Sequence, residues 1–173
     1  MEAFVVHIFG FILPLLFGNI SHLVVIKNDL FSPYAKPISS KLFGAGKTYR
    51  GFIVMPIFTG VFGLVFGNID APEHIFGSHF MLGFILGLTY CLGELPNSFI
   101  KRKLGIASGA SVQKNRWLQI LADKLDSLSL LGVVYFFTVD IELVHVFALI
   151  GSSFGLHLIF SFLFYKLKLK KAF

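Results

Sequence analysis

Apolar runs at roughly 4–26, 51–69, 78–93, 127–140 and 143–165 limit the fold of this chain more than any other feature. A hydrocarbon core takes about 20 helical residues to cross and tolerates no unpaired backbone, so runs of this kind free of Lys and Arg predict transmembrane α-helices. The third and fourth runs are short unless their helices extend into flanking polar sequence, and Trp117 and Leu121 offer such an extension to the fourth. Composition agrees. Only 14% of the 173 residues are charged and 55% are hydrophobic, where a soluble domain has about a quarter charged. An ordinary soluble globule is excluded, and the bundle consumes the chain, leaving one transmembrane domain over 1–173. The expected fold is all-α: a polytopic membrane bundle of about five helices.

The charges between the runs fix an expected topology. Segments 27–50, 94–126 and 166–173 fall on one side and hold all 15 Lys and Arg residues, whereas the other side carries Glu2, Asp70, Glu73, Asp140 and Glu142 and no base. The positive-inside rule then puts the N-terminus out and the C-terminus in, with loops 27–50 and 94–126 cytoplasmic. Glu2 and the lack of a basic leader suggest that the first helix is retained. Cys91 is the single cysteine, so no intramolecular disulfide forms. The connectors near 70–77 and 140–142 are short. The two cytoplasmic loops are long and rich in Gly and Pro, and function is sought there.

Three groups in these loops carry chemistry. In the first, Lys36-Pro37 is followed by Lys41 to Gly51, where glycines beside Lys47, Thr48 and Arg50 suit phosphate oxygens, although the spacing is not that of a Walker A loop. A topology-setting basic loop would look the same. In the second, Glu94 and Ser98 are four apart ahead of Lys101-Arg102-Lys103, and they share a face if the stretch is helical, with Pro96 clouding that boundary. These bases too can serve topology alone. In the third, Asp123 and Asp126 stand at i and i+3 around Lys124, a spacing that lets two carboxylates hold Mg²⁺ through hard oxygens. The alternative is salt bridging to Lys124 or to the bases at 101–103.

Together these groups resemble the CDP-archaeol synthase family, small membrane cytidylyltransferases related to phosphatidate cytidylyltransferase. The similarity begins with Pro14 and Asn19 and runs through Gly44-Ala45-Gly46-Lys47-Thr48-Tyr49-Arg50-Gly51. It resumes at Gly93-Glu94, Ser98 and Lys101-Arg102-Lys103, and closes on Asp123-Lys124-Leu125-Asp126. The resemblance implies a Mg²⁺-dependent transfer of CMP from CTP to a membrane lipid phosphate, with release of pyrophosphate. It also implies roles: Asp123 and Asp126 on the metal, Lys101 and Arg102 on CTP phosphates, Lys47 and Arg50 on lipid phosphate or nucleotide, and Ser98 and Thr48 as hydrogen-bonding groups. Asn19 would orient the cluster, Glu94 stands where the family has Asp, and Lys124 replaces its Gln or Arg. The acceptor is left open among archaeal-type, phosphatidate-like and polyprenyl or glyceryl phosphates.

Two other classes compete. A small transporter would carry polar residues at mid-membrane in several helices, whereas these charges sit at one surface. A non-catalytic protein that binds anionic lipid would tolerate loss of both aspartates. Nucleic acid is not an expected partner, because the aromatic residues lie in the spans rather than between the bases. The histidines at 7, 22, 74, 79, 145 and 157 are read as packing or interface residues. Five helices make a thin bundle, for which pairing as a homodimer is an expectation.

Overall fold

The computed structural model of the chain describes residues 2–108 and 116–166. The first apolar rod is built from α1 (Glu2–His7), a π-helical turn (Ile8–Ile12) and α2 (Leu13–Lys27), and a short 3₁₀ turn (Ser32–Tyr34) follows it. Then come α3 (Tyr49–Gly67), α4 (His79–Lys103), α5 (Arg116–Thr138) and α6 (Leu143–Lys166). Segments Phe4–Lys27, Tyr49–Gly67, His79–Lys103 and Leu143–Phe160 are long and apolar enough to cross a bilayer, and Leu125–Thr138 is a shorter apolar helix. The fold is an all-α membrane helix bundle.

Successive helices pack antiparallel, each most heavily on its neighbours in chain order. Small residues allow the tightest of these contacts. Gly87 of α4 lies where a Cβ would come within 2.7 Å of the Pro56 Cα of α3, so the two backbones nearly touch. Thr48 caps α3 by accepting from the Gly51 N–H at 3.3 Å, and Ser78 caps α4 in the same way. The core is filled by Phe11, Leu82, Leu86, Leu131, Tyr135 and Leu149, all nearly inaccessible.

Two helices run further than the apolar runs suggest. Helix α4 continues through Pro96 to Lys103, and α5 starts at Arg116, so the expected loop 94–126 is largely helical, with residues 109–115 outside the described set. Pro96 removes one donor, toward the carbonyl four residues back at the exposed Leu92, so little is lost by continuing. Lys101, Arg102 and Lys103 in the last turn complement the negative end of the helix dipole. The polar extensions lengthen both short runs.

Candidate active site

The extension of α4 beyond the apolar run creates the site. Gly93 packs so closely on α5 that a Cβ there would stand 2.6 Å from the Ser127 Cα. That approach sets the residues next in sequence, Glu94 and Asp126, beside one another at the basic end of the bundle. They line an open pocket of about 220 Å³ together with Lys47, Asn97, Ser98 and Lys101. Three separate parts of the chain thus contribute: the loop before α3, the end of α4 and the middle of α5.

Each carboxylate in the pocket is held by neighbours. Glu94 forms an ion pair with Lys47, and Tyr90, one turn earlier on α4, interacts electrostatically with the same carboxylate. Asp126 Oδ1 accepts from the Ser127 N–H at 2.6 Å and from its hydroxyl at 3.2 Å, and Asn97 lines the pocket beside the same carboxylate. Ser98 donates to the Glu94 carbonyl at 2.8 Å, an i to i−4 bond that the helical course through Pro96 makes available. Two cations and two carboxylates therefore share one pocket, joined by amide and hydroxyl oxygens. Lysine ammonium groups attract phosphoryl oxygens, while the oxygen donors are those of a hard divalent cation such as Mg²⁺. Among the described residues no three His, Cys, Asp or Glu side chains cluster, and the side chains of Asp123 and Lys124 lie outside them. The Asp123 backbone occupies α5 one turn before Asp126.

Other expected site residues lie elsewhere. Arg50 is buried at the start of α3, where one guanidinium nitrogen donates to Asp29 Oδ1 at 2.9 Å and to the Leu30 carbonyl at 3.1 Å. Thr48 serves as the α3 cap. Arg102 turns from the pocket toward the glycine loop: its Nη1 would lie 3.5 Å from a Cβ at Gly44, and its buried Nε has no partner among the described residues. Gly44 has φ +85°, which only glycine adopts at little cost, and this lets the loop close over Arg102. Asn19 is not among the lining residues.

Three residues near the pocket escaped the sequence reading. Tyr90 and Asn97 lie at i−4 and i+3 from Glu94, a signal visible only once α4 is known to continue. His22, expected to be a packing residue, lies within electrostatic reach of Glu94, Arg50 and Lys47, with its ring against Gly51.

Comparison with known proteins decides the family. The family model described as CarS-like, CDP-archaeol synthase, matches residues 1–173. The chain belongs to the CDP-archaeol synthase family. A CDP-archaeol synthase of Pyrobaculum islandicum is 31% identical over 76% of this chain and 73% of its own length. Another, from Pyrobaculum aerophilum, is 32% identical over 76% and 73%. One from Sulfolobus acidocaldarius is 26% identical over 90% of this chain and 96% of its own length. No solved structure matches. Membership of the CDP-archaeol synthase family assigns a nucleotidyltransferase class of activity in lipid metabolism at a membrane.

Proposed function

We propose that the chain transfers CMP from CTP to a membrane lipid phosphate, leaving a CDP-activated lipid and pyrophosphate. The observation that carries this reading is the pocket in which Lys47, Glu94, Asn97, Ser98, Lys101 and Asp126 converge at the basic end of the bundle. All Lys and Arg residues cluster at that end in the sequence, which supports a cytoplasmic site, five crossings, an outer N-terminus and an inner C-terminus. A lipid phosphate would arrive there with its tails in the bilayer, and CTP would arrive from water.

In the reaction, a phosphate oxygen of the lipid attacks the α-phosphorus of CTP. The bond from that phosphorus to the bridging oxygen breaks, and the electron pair leaves with pyrophosphate. The nucleophile is already anionic, so the pocket needs to supply charge and position rather than a strong base. Lys101 and Lys47 stabilise the phosphoryl oxygens, and Lys47 is itself aimed by Glu94. Ser127 orients the Asp126 carboxylate, and Asn97 lines the pocket beside it. The donor set suits Mg²⁺, which Asp126 and Asp123 would hold with Glu94 beside them; when bound, it would neutralise triphosphate charge.

The test is transfer of label from radiolabelled CTP into a chloroform-extractable product by the purified protein with Mg²⁺. The panel of acceptors contains archaeal ether, phosphatidate and polyprenyl phosphates, the ether lipid first because the relatives are called CDP-archaeol synthases. Labelled lipid with one acceptor supports the reading, and no labelled lipid with any acceptor contradicts it.

A further inference from the structure

The turn that follows α2 is held in a costly shape. Asp29 and Phe31 both have positive φ, 49° and 55°, within three positions and without a glycine. Several contacts keep it there. The Leu30 N–H donates to the Val25 carbonyl at 3.0 Å, the Tyr34 N–H donates to the Phe31 carbonyl at 3.0 Å, and the buried Arg50 grips both Asp29 and the Leu30 carbonyl. Arg50 therefore acts on this turn as a positioning residue.

The held shape pushes apolar side chains outward. Leu30, Phe31 and Tyr34 are 49%, 55% and 52% exposed, with Pro33 between them. Their surroundings identify what covers them. Lys27, the last residue of the first segment long and apolar enough to cross a bilayer, lies only three positions before Leu30, so the turn begins where that segment ends. Exposed Lys27 and Lys36 flank it and suit anionic headgroups. Aromatic rings with an apolar body favour this depth.

We infer that Leu30–Tyr34 is a foot seated in the headgroup–acyl boundary of the protein's own bilayer, locked in place by the Asp29–Arg50 pair. The foot is tied to the pocket by backbone pairing. The Tyr49 N–H donates to the Lys36 carbonyl at 3.1 Å and the Ile38 N–H to the Lys47 carbonyl at 2.9 Å, around the Pro37–Thr48 bridge. Its seating thereby sets the height of Lys47 above the membrane. The inference requires only a bilayer and does not rest on the proposed reaction.

The experiment places a nitroxide at Phe31→Cys and, as the control in the same connector, at Lys41→Cys. Both proteins are reconstituted in liposomes of phosphatidylcholine with phosphatidylglycerol, and the parent chain with its buried Cys91 gives the labelling blank. Relaxation by oxygen should exceed relaxation by a water-soluble nickel chelate at position 31, with the reverse at position 41. Nickel-favoured relaxation at both positions overturns the foot. Should Phe31→Cys fail to reconstitute, Tyr34→Cys carries the same two outcomes. Adding Asp29→Asn keeps a residue that tolerates the left-handed turn and removes the charge that Arg50 holds. It should raise nickel accessibility at position 31 several-fold, and an unchanged value overturns the lock.

Discussion

The two ends of the bundle both contain polar side chains, yet they use them in opposite ways. At the basic end, Lys47, Glu94, Asn97, Ser98, Lys101 and Asp126 face an open pocket. At the other end, the buried His7 shares a 3.1 Å hydrogen bond with Tyr135, which is fully inaccessible and packs edge-on against Phe11. Nearby connectors are short and joined by the Ile75 N–H to Thr138 carbonyl bond. Polar groups closed into the packing satisfy one another and hold helices together. Polar groups left facing a pocket, with charges of both signs, are available to a ligand.

After the loss expected at Asp126, the largest effect that would sharpen this contrast is expected at Lys47. Lys47→Met removes a phosphate-facing charge and leaves Glu94 without its ion pair, and a loss of about 2–3 kcal/mol of transition-state stabilisation corresponds to a fall of roughly 30–150-fold in lipid labelling. Equal activity in this variant would break the contrast. Next comes Gly93→Val, whose side chain must push α5 away at Ser127. Overpacking of this kind costs about 1–3 kcal/mol, so its thermal midpoint in detergent should drop together with activity.

Tyr90→Phe removes a hydroxyl that interacts with the Glu94 carboxylate, and should lower transfer by up to about tenfold with the thermal midpoint little changed. The smallest effect belongs to the opposite end. Burial and the neighbouring His79 lower the pKa of His74, whose Nε2 meets His79 Nδ1 at 3.1 Å. A depressed histidine favours folding in its neutral form, so its contribution is present above about pH 6.5 and is lost as pH falls below that. Hydrogen exchange of the 74–79 connector should therefore quicken on acidification, and a His74→Asn variant should show a flatter pH profile.

Much of this architecture was legible because it depends on local composition. Apolar length and the one-sided placement of bases require no knowledge of which helices touch. The site was legible in part: Lys47, Glu94, Ser98, Lys101 and Asp126 were named from spacing and family resemblance, and the structure brings them together. What remained hidden depends on tertiary packing. The helical course through Pro96 decides whether Asn97 faces the pocket, and local rules alone favour a boundary there. Arg50 looked like a phosphate ligand because nothing in a linear reading brings Asp29, 21 positions away, against it. The closeness of His22 to Gly51 depends in the same way on α2 packing against α3.

The most direct test of the account compares Asp126→Asn with Tyr135→Phe in one CTP-to-lipid labelling assay, with thermal unfolding of each protein measured alongside. Asp126→Asn should lose at least about 100-fold in transfer, on the scale of removing one charge-stabilising group, while its fold persists. Tyr135→Phe should lower the thermal midpoint, because His7 loses a buried partner, and leave transfer near that of the parent. Parental activity in Asp126→Asn, or an equal loss of transfer in both variants, would contradict the assignment of chemistry to the basic end of the bundle.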